Sequence, residues 1–366
     1  MSRWISAKVL GVLLSTIAPT QAFQTAKEME WVQLSENKRS FVLAQSGQRF
    51  VPWGFNYDRD HRGRLLEDYW VEEWAKVEED FAAMKKLGAN VVRIHLQLGR
   101  FMERADKAND KALSQLGRLV KLAEHTGLYL DLTGLGCYHK KDVPAWYDAL
   151  TEKERWAVQA RFWTAVAGRC AGSPAVFCYD LMNEPVVPGG RRKAGDWLGP
   201  PFAGKCFVQF ITLDQMERPR AEIARQWVHM LTQAIRKGDN RHLITVGLVD
   251  WSLDRPGMLY SGFDPAKIAV DLDFLSVHIY PAKGKIDKAL QTLAGFDVGK
   301  PVLIEETFPL KCSIEELEEF IDGSKKTAAG WLGFYWGQSP QELRRSQALG
   351  DVLTLQWLEF FQKHRP

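Results

Sequence analysis

Short apolar runs rich in β-branched and aromatic residues recur along the chain, at residues 50–56, 90–95, 128–133, 176–181, 243–247, 274–279, 301–305 and 330–336, and each reads as a strand. Between most of them the period changes. Residues 70–87, 110–126, 152–169, 217–236, 286–293 and 314–321 place apolar side chains three and four apart, as does a last segment at 351–363. Strands that alternate with helices become neighbours in a parallel sheet, because a parallel pair needs a crossover long enough to hold a helix. Eight such strands over residues 50–336 predict an α/β fold, one closed (β/α)8 TIM barrel in a single domain. An open, doubly wound sheet is the other arrangement of the same units. Its glycine-rich phosphate turn is missing, since the first strand runs through Trp53-Gly54-Phe55-Asn56-Tyr57.

Residues 31–49 alternate in two short runs around Ser46-Gly47 and predict an N-terminal β-hairpin that closes the bottom of the barrel. Two connections exceed what the fold needs, residues 57–69 after strand one and 186–216 after strand four. Both fall on the face where barrels carry their sites.

Composition narrows the classes further. Across 366 residues, 46% hydrophobic and 25% charged describe an ordinary globular chain, and 48 basic against 45 acidic side chains leave a net charge of +3 with no basic block. A nucleic-acid partner is therefore not expected. Residues 1–22 run from Arg3 and Lys8 through the apolar stretch 9–18 to Thr20-Gln21-Ala22, the order of a secretory signal cleaved after Ala22. The apolar stretch is about half of the ~20 residues a membrane span requires, so no stable membrane insertion is expected. This predicts a secreted or periplasmic domain over residues 23–366, acting as a monomer. Five cysteines, with no CxxC pair and no zinc spacing, allow at most two disulfides.

The chemistry concentrates at two strand ends. Tyr179-Asp180-Leu181-Met182-Asn183-Glu184-Pro185 closes strand four, where a carboxylate just before a proline faces the cleft. Lys300-Pro301-Val302-Leu303-Ile304-Glu305-Glu306 closes strand seven. Side chains alternate along a strand, so only one of Glu305 and Glu306 is expected to point into the site.

With these motifs the chain resembles the retaining β-glycosidases of the cellulase and mannanase family, glycoside hydrolase family 5. The resemblance implies that Glu184, after Asn183, is the acid/base. It also implies that Glu306, five residues after the strand-seven proline, is the nucleophile. Arg93 at the end of strand two, His278 and Tyr280 in Ser276-Val277-His278-Ile279-Tyr280, and Trp336 at strand eight match further family positions. Glycosidic cleavage needs one protonated and one ionised carboxyl at the same bond. Arg93 and the Tyr280 hydroxyl are expected to keep Glu306 ionised and low in pKa, while the neighbouring anion favours a proton on Glu184. Asn183 is expected to bind the sugar 2-hydroxyl, His278 to bond the sugar or orient a neighbour, and Trp336 to offer its face to the ring. Asn56, with Trp53, Tyr57, Trp197, Phe202 and Trp251, completes the set of subsite candidates. Two positions depart from the family. Thr133 stands where many relatives carry a strand-three histidine, a role open to His95 or His139, and Thr307-Phe308-Pro309 replaces the usual aromatic-glycine.

The resemblance implies hydrolysis of a β-linked oligo- or polysaccharide, with no cofactor and no metal. A non-catalytic carbohydrate-binding barrel is the alternative from another class. A metal-dependent barrel hydrolase is a third, against which stands the lack of a His-x-His after strand one.

Overall fold

A computed structural model describes Met1 and residues 29–365; the expected signal segment, residues 1–22, lies outside the described residues apart from Met1. Eight parallel strands close into a barrel in chain order: β1 (Trp53–Tyr57), β2 (Val91–Gln97), β3 (Tyr129–Gly136), β4 (Val176–Asn183), β5 (Leu243–Val249), β6 (Leu275–His278), β7 (Val302–Thr307) and β8 (Ala328–Gly333). Closure is made where Trp331 of β8 pairs with Trp53 of β1. Helices α1 (Trp74–Lys86), α2 (Asp110–Thr126), α3 (Glu152–Cys170), α4 (Arg220–Arg236), α5 (Ile286–Ala294), α6 (Ile314–Ser324) and α7 (Leu349–Lys363) surround it. The β5–β6 connection, which lacks helical spacing, holds the 3-10 turn Asp250–Ser252, the single helical turn Pro265–Ile268 and the 3-10 turn after it.

Local chemistry sets the helix ends. Thr151 caps α3 and Glu154 reaches back to the Thr151 backbone, and Ser313 with Glu316 does the same for α6. Asn109 caps α2, which stops at Gly127 in the left-handed conformation (φ 67°). Among the described residues no helix is long and apolar enough to cross a membrane. All five cysteines are free thiols.

Alternation along β2 separates two environments. Val92, Ile94 and Leu96 pack outward into the core shared with the helices. Val91 joins Phe41, Phe177, Phe274 and Leu303 in an apolar cluster at the barrel base, and above it Arg93, His95 and Gln97 are buried polar side chains. The expected hairpin is a three-stranded antiparallel sheet of Val32–Leu34, Phe41–Leu43 and Arg49–Phe50. Phe50 belongs to this sheet and not to β1, because Pro52 has no N–H to extend the ladder. Phe41 meets the rings of Phe177 and Phe274 edge-on, both at 5.1 Å, and so closes the barrel floor.

Phe41→Ala is expected to lower unfolding free energy by about 3–5 kcal/mol, since it empties a fully enclosed site; urea unfolding measures it, and a loss below about 1 kcal/mol would contradict a floor closed by this ring.

Candidate active site

Arg93 sits at the centre of the barrel with no exposed surface. One guanidinium nitrogen donates to Asn56 Oδ1 at 2.9 Å and to Glu306 Oε1 at 2.6 Å. The other donates to Asp180 Oδ2 at 2.7 Å and Asn183 Oδ1 at 3.0 Å, and lies 3.3 Å from Glu305 Oε2. Asp180 also accepts from Thr133 Oγ1 and from the Gly247 N–H, each at 2.7 Å. Burial works against charge on Glu305, but Arg93 and then His278 overcome it and pull its pKa down to about 2. Asp131 beside it is pushed well above the carboxylate range, by burial and then by the Glu305 anion. A Cβ on Gly247 would lie 2.9 Å from both Arg93 Nη2 and Glu305 Oε2, so β5 can pass this cluster only as glycine.

Regular alternation would send Glu306 outward with Ile304 and Val302, which pack toward the helices. The strand register shifts between Ile304 and Thr307 against β8, and between Val277 and His278 against β6. This bulge turns Glu306 inward above Glu305, so both carboxylates enter the barrel and the expectation of a single inward residue fails. Glu184 leaves β4 in a left-handed conformation, φ 47°, with its N–H donated to Gly247 O at 2.9 Å. Such a backbone costs about 1–3 kcal/mol in a non-glycine residue, and here it aims the carboxylate across the mouth. A carboxylate oxygen of Glu184, one of Glu306 and a ring nitrogen of His278 lie within 4.8 Å of one another.

His278 links the two levels. Nδ1 is 3.0 Å from Glu184 Oε1 and 3.6 Å from Glu306 Oε2, and Nε2 is 3.3 Å from Glu305 Oε2. Burial opposes its charge, but Glu306, then Glu184 and Glu305, prevail and push its pKa up to about 10. The imidazolium therefore donates from both nitrogens. Tyr280 donates its hydroxyl to Glu306 Oε2 at 2.6 Å, and burial and the Glu306 charge drive the phenol well above its usual range. Glu306 itself is raised and not lowered: burial comes first and Glu184 adds to it, while His278, Arg93 and Tyr280 restrain the rise. The expected low value omitted the cost of taking a carboxylate out of water.

Glu184–His278–Glu306 and Asp131–Asp180–Glu305 both have ligand atoms close enough for a metal ion. In each, a protein cation already stands among the oxygens, the His278 imidazolium in one and the Arg93 guanidinium in the other.

A cleft of about 490 Å³ opens over these groups and is lined by Asn183, Glu184, Tyr280 and Glu306 among others. Two expected sugar contacts, Asn56 and Trp336, lie elsewhere. Asn56 is enclosed beneath the cleft with Arg93 and His278, and its amide is spent on Arg93 and on Glu305 O; of the two roles open to His278, its contacts with Glu184 and Glu305 favour orienting a neighbour. Trp336 is fully buried, because its backbone N–H donates to Asn56 O and its ring packs on Phe55. Phe334 and Tyr335, two and one residues earlier, line the cleft instead. Of the further aromatic candidates Phe202 lines it, while Trp53, Tyr57 and Trp197 are core. His95 is enclosed against Tyr138 and Asn56, with its charge suppressed by burial. Asp180 and Glu305 stand inside the motifs that mark the site, and a count of buried charges around Arg93 would find them. Gly247 carries no local signal.

Paired carboxylates at the carboxyl mouth of a closed parallel barrel define the class of protein. A family model described as Cellulase (glycosyl hydrolase family 5) matches residues 45–339, and the chain belongs to that family. It is 24% identical over 221 residues to a probable mannan endo-1,4-β-mannosidase A of Aspergillus flavus, with 54% of this chain and 50% of that one covered. Over 274 residues it is 24% identical to a mannan endo-1,4-β-mannosidase A of Podospora anserina, with 67% and 59% covered. The chain thus spans about half to three-fifths of these relatives' lengths. The fold is similar to an exo-β-1,4-mannosidase from Opitutaceae bacterium strain TAV5, with TM-score 0.65, 18% identity, and 90% of this chain and 62% of that one covered.

The folded pKa of His278 lies above the 6.5 of a free imidazole, so the stability its charge carries is whole below about pH 6.5 and is lost as pH rises through about 10. In urea unfolding the gap between wild type and His278→Gln should be widest near pH 6 and narrow toward pH 10. A gap that does not change with pH would contradict the imidazolium.

Proposed function

We propose that this chain hydrolyses β-linked glycosides with retention of configuration, Glu306 acting as nucleophile and Glu184 as acid/base. The observation that carries the reading is the approach of the two carboxylates, with oxygens within 4.8 Å, against the ~5–5.5 Å carboxyl separation of retaining glycosidases and the ~6.5–9.5 Å of inverting ones. In the first step Glu306 attacks the anomeric carbon while Glu184 gives its proton to the leaving oxygen. Arg93 and Tyr280 hold one Glu306 oxygen each, which fixes the carboxylate plane and favours its ionised form. In the second step Glu184 takes a proton from water, which cleaves the glycosyl ester. Asn183 lines the cleft beside both acids and is suited to a hydroxyl of the bound ring.

The named activities of the relatives make β-1,4-mannosides the first glycans to try. The order of residues 1–22 supports export of the mature domain.

Glu184→Gln and Glu306→Gln are each expected to lower kcat about a thousandfold or more on a β-mannan or β-glucan oligosaccharide, with circular dichroism unchanged. A 2-deoxy-2-fluoro glycoside with a good leaving group should label Glu306 in the mass spectrum, and proton NMR should show the β-anomer as first product. Near-normal turnover by either variant would refute the assignment, and sugar binding without turnover by the wild type would favour a non-catalytic barrel.

A further inference from the structure

The polar side chains that line the cleft are Arg59, Asn183, Glu184, Tyr280, Glu306 and Tyr335. Asn183, Glu184, Tyr280 and Glu306 surround the reacting position, and Arg59 lies over the rings of Tyr335 and Phe334, with centroid distances of 4.1 and 5.2 Å. That complement suffices for one sugar ring. The rest of the wall comes from the connection after β4, with Pro200, Phe202, Ala203, Phe207 and Val208, and from the connection after β7, with Phe308 and Leu310. None of these seven side chains has a donor or an acceptor. Phe202 and Leu310 are 62% and 51% exposed, large apolar groups left in water at the rim.

A second sugar seated there would bring several hydroxyls against aliphatic carbon. Each hydroxyl shed from water without a partner costs free energy, and only a flat aromatic face offsets part of it through the ring C–H bonds. Pro200, Ala203, Val208 and Leu310 have no such face. An alkyl chain removes the same wall from water at no polar cost. The cleft volume of about 490 Å³ is in the range of pockets that enclose a drug-sized ligand, which suits one pyranose with a chain attached.

Resting on the glycosidase reading above, we infer that the leaving group is apolar: the substrate is a β-glycoside whose single sugar is joined to an alkyl-type aglycone, held between the walls that end in Phe202 and Leu310. The chemistry is unchanged. The bond from the anomeric carbon to the aglycone oxygen breaks, that oxygen takes the Glu184 proton, and water supplies the hydroxyl of the released sugar.

The experiment compares kcat/KM of the full chain on methyl and octyl β-glycosides, below the micelle concentration, with that on the β-1,4-linked disaccharide of the same sugar, for mannose and for glucose. Each methylene buried is worth about a fourfold preference, so burial of three of the added methylenes gives roughly fiftyfold in favour of octyl over methyl. The octyl glycoside should also exceed the disaccharide. In Phe202→Ser/Leu310→Ser, which alters exposed positions only, the octyl-to-methyl ratio should fall severalfold or more. Turnover of the disaccharide with an octyl-to-methyl ratio near one in the wild type overturns this inference and leaves the glycosidase reading standing. Absence of turnover on all of these overturns both.

Discussion

The guanidinium of Arg93 has no access to water, and the upper half of the barrel is arranged around that fact. Arginine does not lose its proton in proteins, so a buried one must be matched by carboxylates and carbonyl oxygens close at hand. Here they come from different strands: Asn56 from β1, Asp180 and Asn183 from β4, and Glu305 and Glu306 from β7. One group thus ties together the strand ends that carry the proposed acid/base and nucleophile. Charge balance explains the rest of the layer. Arg93 and His278 are two cations facing the carboxyl groups of Asp131, Asp180, Glu184, Glu305 and Glu306, and a proton on Asp131, whose pKa burial and Glu305 drive far upward, removes part of the excess.

Below this layer lies an apolar cluster. Phe41, Phe177 and Phe274 fill the barrel floor, so the ionic cluster rests on a dry apolar plug that keeps water from entering beneath it. A lower effective dielectric strengthens each of the Arg93 contacts and raises the cost of leaving any one of them unmade. The position of Gly247 belongs to the same account. β5 must pass within van der Waals distance of Arg93, Glu305 and His278, and any side chain would push the cations from the acids they hold.

The barrel was legible because its signal is repeated. Eight apolar runs and the helical spacing between most of them locate every strand to within a few residues, and capping boxes such as Thr151 with Glu154 mark the helix starts. Asn183-Glu184-Pro185 and Ile304-Glu305-Glu306 were legible as strand ends with acids. What the sequence does not disclose is departure from regular geometry. Counting in twos along β7 allows one glutamate inside, and the register shift after Ile304 admits both. The same counting cannot see that the chain after β8 folds back on Asn56 and sends Trp336 into the core, leaving Phe334 at the cleft. Strand ends point to the mouth, which makes Asn56 a subsite candidate and leaves His278 open to the sugar, yet both are enclosed beside Arg93. Their depth along the strand, one layer down, depends on tilt and stagger that emerge only on closure.

His278 gives the two-step chemistry a physical continuity that Arg93 and Tyr280 alone lack. Under the proposed double displacement Glu306 is an anion at the start and a neutral ester after the first half-reaction. Glu184 goes the other way, from acid to carboxylate. The imidazolium lies 3.0 Å from Glu184 and 3.6 Å from Glu306, and its second nitrogen lies 3.3 Å from Glu305, whose pKa Arg93 and His278 hold low. When the Glu306 charge disappears into the ester, the Nδ1 proton faces Glu184 as the remaining anion at the mouth and stabilises it as the base that water requires. The net charge near the reacting bond is therefore nearly constant across both halves. A buried site needs that constancy, since it has no solvent to reorganise when a charge moves from one carboxylate to the other.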